Sequence, residues 1–295
     1  MISVCIPTYN FDVSTLVKEL TDQFSLLRID YEIIVIDDFS KYKTKVIEYK
    51  NVSYIQLNKN IGRSKIRNLF LSLTKYKWLL FLDCDSKIKS KEFILKYINA
   101  IKKNNFEIYC GGRVYEEQKP ECNKILRWSY GRKNEMLTES QKNNSPNQSF
   151  MSHNFIIRKE IFKKFPFDEK ILKYGHEDTI FGLTLMKNNI EINHINNPIY
   201  DDNIEINEEF LYKIHQSIEN LVLINKSYDK SIIRHIKLLK LYKYLHFFKL
   251  DFLIQIIYYT FKKYIYNQLL KGTSNMKLLN FHKLGLFIEL IKNEK

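Results

Sequence analysis

Residues 78–86 read WLLFLDCDS, an apolar run that stops on two carboxylates, Asp83 and Asp85, with Cys84 between them. A short apolar run closed by a turn signal is the pattern of a strand buried on both faces. Three stretches upstream share it: SVCIPTYN at 3–10, EIIVIDDFS at 32–40 and SYIQLNKN at 53–60. The runs 2–6, 32–37, 53–57 and 78–83 are read as strands. The segments 13–27, 41–49, 62–74 and 91–102 carry helical spacing. Strand and helix in alternation predict an α/β domain with a parallel, doubly wound sheet. Ligands of such sheets collect at the carboxyl ends of the strands, so the run ends come first: Pro7, Thr8, Tyr9 and Asn10; Asp37 and Asp38; residues 58–62; and Asp83 to Asp85.

The chain has 295 residues, 45% of them hydrophobic, 14% aromatic and 27% charged, which excludes a disordered or collagen-like polymer. Lysine and arginine number 47 against 33 acids, a net charge of +14. That surplus attracts phosphate-bearing partners, but the chain is rich in Lys, Asn, Ile and Tyr throughout, so charge alone does not choose among nucleic acid, membrane and small anion. Of the four cysteines, Cys5, Cys84 and Cys110 lie within apolar runs and Cys122 does not. With no CxxC pair they read as buried free thiols of a reducing compartment. The opening MISVCIPTYN does not read as a signal peptide. The nearest approach to a spanning segment, 252–270, is interrupted by Gln255, Lys262 and Lys263.

Two more strands are expected at 107–115 and 151–158, separated by a polar segment, 116–149, read as a long loop of functional rather than idle character. Arg127, Trp128 and Tyr130 form an aromatic and cationic cluster within it, or else belong to a helix that buries one Trp. The last strand is expected at 191–195. Beyond a boundary near Asn207 the pattern is nearly all helical. Residues 226–271 hold ten basic and two acidic side chains. Arg234, Lys237, Lys240 and Lys243 are spaced by three and wrap round a helix instead of forming one stripe, so adhesion to an anionic membrane is allowed but not compelled.

Four patterns carry chemistry. Asp83 and Asp85, at i and i+2 where a strand gives way to a turn, can converge on a hard divalent cation. Asp37 and Asp38 can accept hydrogen bonds from a base or a ribose hydroxyl, unless Asp38 and Ser40 serve only to cap the turn. In NKNIGRSKIRN, 58–68, Gly62 opens a helix whose free N–H groups favour phosphate, and Arg63, Lys65 and Arg67 add cations. In YGHEDTIFG, Glu177 and Asp178 sit in the first turn of a helix, where the dipole stabilises acids and a cleft could use one as a general base.

In this order and at these distances the patterns resemble the inverting glycosyltransferases of family 2, over residues 3–185. The carriers are SVCIPTYN, the strand ending in DD, the N-x-G-x-x-x-x-R-N element at 60–68, the DxD at 83–85 and the ED pair at 177–178. LRWSYGRKNE and SHNFIIRKEIF resemble bacterial members that build surface polysaccharides, and weaker similarity runs through HINNPIY, NEEFL and LLNFHKLG. The resemblance implies a GT-A, Rossmann-like fold, a mostly parallel central sheet flanked by helices with a C-terminal helical extension. It implies a domain at 1–206, with a nucleotide-sugar half at 1–105 and an acceptor half at 106–206, followed by the basic region 207–295. It implies that Pro7, Thr8, Tyr9 and Asn10 shape the nucleotide pocket, that Asp37 or Asp38 meets the base, and that Asn60, Gly62 and Arg67 lie near the nucleotide. Asp83 would stand near ribose and metal, Asp85 on the metal, and Asp178 would be the general base with Glu177 as its alternative. Related sequences tend to carry a His in a Pro-x-x-His-x-Gly context where this one has Pro198-Ile199-Tyr200-Asp201-Asp202-Asn203, so Asp201 would have to serve as third metal ligand. The implied cofactors are Mn²⁺ or Mg²⁺ with a nucleotide-diphosphate sugar, a UDP-sugar by preference. The implied partners are that donor and a glycan or lipid-linked glycan acceptor, with peripheral contact to the inner, cytoplasmic face of an anionic membrane and no nucleic acid. A sugar-phosphate nucleotidyltransferase would need a glycine-rich loop after the first strand, and Pro7-Thr8-Tyr9-Asn10 has no glycine. A non-catalytic basic protein that binds membrane or nucleic acid rests on charge alone.

Overall fold

A computed structural model describes residues 1–41, 49–103, 105–201 and 203–293. The helix expected at 41–49 lies almost wholly outside the described residues. The chain divides into two compact units. One comprises Met1–Tyr115, Glu135–Lys170 and Asp178–Asn203, and the other Glu116–Asn134, Ile171–Glu177 and Ile204–Lys295. The division interleaves along the chain, unlike the contiguous split at residues 206 and 207.

The first unit holds β1 (Ile2–Thr8), β2 (Tyr31–Asp37), β3 (Val52–Gln56), β4 (Trp78–Leu82), β5 (Ser86–Lys87), β6 (Ile108–Cys110), β7 (Arg113–Val114), β8 (Asn154–Arg158), β9 (Asn193–His194) and β10 (Ile199–Asp201). Seven form one sheet in the order β3-β2-β1-β4-β8-β6-β9, and three form a small sheet in the order β5-β10-β7. β1 to β4 pair in parallel, β8 runs antiparallel to β4 and β6, and β6 is parallel to β9. The mostly parallel α/β sheet expected from the strand–helix alternation is present.

Successive side chains of a strand point to opposite faces, and both faces are buried here. Val4, Ile6, Val35 and Leu80 meet Leu16, Val17, Leu20 and Phe24 of the helix Ser14–Leu27, together with Phe93 and Tyr97 of the helix Phe93–Lys103. Cys5, Ile34, Ile36, Leu79 and Phe81 meet Ile66 and Phe70 of the helix Arg63–Leu73 and a cluster of phenylalanines. Within that cluster Phe81 stacks on Phe155 at 4.9 Å and Phe167 on Phe181 at 4.4 Å between ring centroids.

Two expectations change. The strand 107–115 is broken into β6 and β7 by Gly111 and Gly112. Gly112 has φ +82°, and a Cβ on Gly111 would stand 2.3 Å from the Asn197 carbonyl oxygen. The polar segment 116–149 is no loop: it carries a 3-10 turn at Cys122–Lys124 and helices at Ile125–Asn134 and Glu139–Asn143. Trp128 is buried, and its indole N–H donates to the Glu116 carbonyl at 2.9 Å. Thr138 and Gln141 form a reciprocal capping box at the second helix.

The second unit is helical, with Asn207–Ser227, Lys230–Ile233, Lys237–Phe247, Asp251–Leu270 and Met276–Asn293 joining Ile125–Asn134. Gly285 lets the last helix approach the Tyr258 ring: a Cβ there would stand 2.2 Å from Tyr258 Cγ.

Where strands end in the first unit, side chains tie the loops. Asp38 donates its N–H to the Thr8 carbonyl at 2.8 Å, and its carboxylate accepts the N–H groups of Ile61 at 2.7 Å and Gly62 at 3.0 Å. Asp37 accepts from the Tyr54 hydroxyl and from the Ser40 N–H at 2.8 Å.

Two stability predictions follow from these contacts. Alanine at a helical glycine is ordinarily favourable by about 1 kcal/mol, but in Gly285→Ala the collision with the Tyr258 ring should outweigh it, because overpacking costs about 1–3 kcal/mol. A lower thermal midpoint is expected, and a raised one would show that the helices separate freely. Asp38→Asn loses a charged acceptor for two amides, so urea unfolding should show a loss of about 1.5–3 kcal/mol.

Candidate functional site

The strand register sets the mouth of the site. Thr8 lies opposite Asp37 between β1 and β2, and Asp37 opposite Gln56 between β2 and β3. Pro7 sits within β1 opposite Ile36. Thr8 donates to the Phe11 carbonyl at 3.1 Å, and Asn10, at φ +51°, donates its N–H to Ser40 Oγ at 2.7 Å. The Tyr9 ring is half exposed. Thus the residues expected to shape a nucleotide pocket lie side by side, while Asp37 and Asp38 have their carboxylates turned to the protein's own donors. Asn60 donates to the Asp38 carbonyl at 3.2 Å. Gly62, at φ +84°, precedes the helix Arg63–Leu73; its N–H, which the sequence offered to phosphate, goes to Asp38.

The acidic pair at the end of β4 lies among cations. The Asp83 N–H donates to the His153 carbonyl at 3.1 Å. Its carboxylate meets Arg67 at 2.8 Å, and Arg63 and Arg113 at 3.7 Å each. Burial alone would raise its pKa, but the guanidinium groups of Arg67, Arg63 and Arg113 hold it well below the usual carboxylate range. Asp85 moves the other way, up to about 6, because burial together with the charges of Asp83 and Asp201 outweighs the pull of Arg113. Asp201 reaches this place through the small sheet, where it pairs with Ser86. Arg113 then joins the three acids: 2.9 Å to Asp201 and 3.7 Å to each of Asp83 and Asp85. Burial opposes its charge, but these acids keep it ionised.

Asp85 Oδ1 is buried and makes no hydrogen bond among the described residues. An oxygen so placed fits a hard cation whose remaining ligands are phosphate oxygens and waters, the usual way Mg²⁺ sits beside a substrate diphosphate. Among the described residues no three His, Cys, Asp or Glu side chains are grouped to hold a metal ion. Asp83 is paired with Arg67 at 2.8 Å and Asp201 with Arg113 at 2.9 Å.

Glu177 and Asp178 open the helix Glu177–Lys187, after Gly175 at φ +92° and His176 at φ +70°. The unit boundary falls between the two acids. In the second unit, Asn220 Nδ2 donates to the carbonyls of Lys173, Tyr174 and Gly175 and fixes the turn before them. In the first unit, Asp178 Oδ2 accepts the N–H of Ser152 at 3.1 Å. Ser152 and His153 are consecutive, so one short segment ties Asp178 to Asp83.

Two features escaped the sequence reading. Arg113 was signalled only by the GGR that breaks a strand. Lys142, one lysine among many, is 7% exposed, and among the described residues its ammonium takes part in no hydrogen bond or ion pair. It lines, with Gly112, Arg113, Asn143 and His194, a cavity of about 530 Å³ in the first unit. Burial lowers the pKa of Lys142 and brings His194 down to about 4, so at neutral pH the imidazole is neutral and donates from Nε2 to the Pro146 carbonyl at 2.9 Å.

The sequence model of Glycosyl transferase family 2 matches residues 3–165. An uncharacterized glycosyltransferase of Haemophilus influenzae is 36% identical over 89 residues, which make up 29% of this chain and 29% of that protein, so the match spans well under half of the relative's length. Among solved structures, the mannosyltransferase PcManGT of Pyrobaculum calidifontis, in complex with GDP-Man and Mn²⁺, is similar with a TM-score of 0.56 at 12% identity, over 99% of this chain and 86% of that one. The glucosyl-3-phosphoglycerate synthase of Mycobacterium tuberculosis, in complex with Mn²⁺, UDP and glucosyl-3-phosphoglycerate, gives 0.53 at 16% identity, over 76% and 79%. At such identities the likeness concerns the fold, and it agrees with the GT-A architecture of the central sheet. The family match takes in more than half of the chain and includes the strand ends, Arg67 and the Asp83–Asp85 pair: the protein belongs to glycosyl transferase family 2.

Proposed function

We propose that the protein transfers a sugar, with inversion, from a nucleotide-diphosphate sugar to a hydroxyl of a glycan or lipid-linked glycan, in the synthesis of a bacterial surface polysaccharide on the cytoplasmic side of the membrane. The observation that carries this reading is the tie between the two acidic centres. Ser152 holds Asp178 and His153 holds Asp83, two residues before Asp85, so the carboxylate read as the base and the acidic pair read as facing the donor belong to one hydrogen-bonded frame. Four free cysteines support the reducing side of the membrane.

The chemistry divides between these ends. As the acceptor oxygen attacks the anomeric carbon, Asp178 takes the hydroxyl proton, and the electron pair of the breaking carbon–oxygen bond leaves with the diphosphate. Asp85 would hold a divalent cation, Mn²⁺ or Mg²⁺, which when bound would supply Lewis-acid neutralisation of that leaving group. Arg63 and Arg113 add fixed positive charge beside it, and Arg67 holds Asp83 in place. Asp37, Asp38, Asn60 and Gly62 shape the base and ribose pocket through the loops they tie, next to Pro7, Thr8, Tyr9 and Asn10, with UDP the preferred nucleotide. Asp201 orients Arg113 and would meet a cation only on releasing it. A single in-line displacement on an α-linked donor gives a β-glycoside, and Glu177 is the alternative base.

Thermal-shift screening of nucleotide sugars, with and without Mn²⁺, identifies the donor, because a bound ligand raises the unfolding temperature by mass action. Asp85→Asn should weaken the cation-dependent part of that shift. Asp178→Asn should keep the shift and lower turnover by roughly 10²- to 10⁴-fold. Full turnover in Asp178→Asn would move the base to Glu177, and an α-glycoside from an α-linked donor would exclude a single displacement.

A further inference from the structure

In the second unit, the helix Asp251–Leu270 is apolar on the side that faces water. Its buried residues are Asp251, Tyr258, Ile265 and Leu269, one narrow stripe at i, i+7, i+14 and i+18. The other side of a surface helix ordinarily carries charge. Here Phe252, Leu253, Ile256, Ile257, Tyr259 and Phe261 are exposed, and the turn before the helix presents Phe247, 80% exposed, and Phe248. Of the 25 exposed large hydrophobic side chains among the described residues, fourteen fall between Leu241 and Leu270, so the apolar surface is concentrated and not scattered.

Its charge is one-sided. From residue 241 to 271 the sequence has five lysines and a single acid, Asp251, which is buried and paired with His246 at 3.0 Å and Lys292 at 3.7 Å. Lys262 is turned to Glu289 at 2.7 Å, whereas Lys243, Lys249 and Lys263 are exposed. The face thus combines apolar and aromatic groups with cations and shows no exposed carboxylate. A second copy seated on it would bring lysine against lysine. An anionic bilayer supplies acyl chains for the apolar groups, phosphates for the lysines and a headgroup layer for tyrosine rings. No described helix is long and apolar enough to cross a membrane, so the helix would lie along its surface.

We propose that residues 241–270 form an interfacial docking surface for an anionic phospholipid bilayer, with Phe247, Phe248, Phe252 and Ile256 entering the acyl boundary and Lys243, Lys249 and Lys263 at the lipid phosphates. This rests on the exposed face alone and stands or falls independently of the donor, the cation and the base.

The test is flotation of the full chain with phosphatidylcholine vesicles, with and without phosphatidylglycerol, at low and high salt. The protein should partition at least about tenfold better to vesicles that contain phosphatidylglycerol. Phe252→Ser with Ile256→Ser should weaken partitioning by about tenfold or more at either salt concentration. Lys249→Glu with Lys263→Glu should weaken it by about fivefold per residue at low salt and by much less at high salt. All four positions are exposed, and an unchanged thermal midpoint and circular dichroism spectrum in each variant confirm that the fold is kept. Failure of the wild-type chain to float, or variants that float as well as it does, would overturn the proposal. So would light scattering that shows a dimer which Phe252→Ser with Ile256→Ser converts to a monomer, since a second copy would then be the occupant.

Discussion

The guanidinium of Arg113, within 3.7 Å of Asp83, Asp85 and Asp201, is the contact on which the rest of the acidic site depends. Three carboxylates cannot be gathered in a buried place as bare charges, because desolvation and mutual repulsion oppose it together. Arg113 and Arg67, both almost fully buried, lower that repulsion enough for Asp83 to stay ionised. Asp85 receives the least of this compensation, at 3.7 Å and with no hydrogen bond to Oδ1, and its raised pKa is the result. The acid that the protein satisfies least is the one with most to gain from an external cation.

The sheet was legible because burial on both faces leaves a continuous apolar run, and four such runs separated by helical spacing admit few topologies. The strand-end acids were legible for the same reason, since a carboxylate at the close of an apolar run is conspicuous. Their duties were not. Asp85 and Asp38 look alike in sequence, yet Asp38 spends both oxygens on the amides of Ile61 and Gly62 while one oxygen of Asp85 makes no hydrogen bond. What separates them is loop geometry, which residue type does not encode.

Other omissions have other causes. Residues 116–149 looked like loop because their helices are short and polar, although Thr138 and Gln141 stand at capping-box spacing and Trp128 has a buried indole to anchor. Lys142 was invisible among the chain's many lysines, since only burial distinguishes it. The apolar character of 252–270 was plain in the sequence, but hydropathy gives the amount of apolar surface and not the side left uncovered.

The small sheet β5-β10-β7 shows why the site needed a second register besides that of the main sheet. Arg113 pairs with Ile199, and Asp201, two residues further along β10, pairs with Ser86. Residues two apart on a strand share a face, so Arg113 and Asp201 meet on the same side at 2.9 Å, next to the residue that follows Asp85. A slip of one residue between β7 and β10 would turn one member of the pair to the opposite face and leave the acids without their cation. Gly111 and Gly112 make the break between β6 and β7. Gly111 lies too close to the Asn197 carbonyl for a Cβ, and Gly112 takes the left-handed turn that ends β6 before Arg113 begins β7. The glycine pair that breaks the strand is also what delivers Arg113 to the acids.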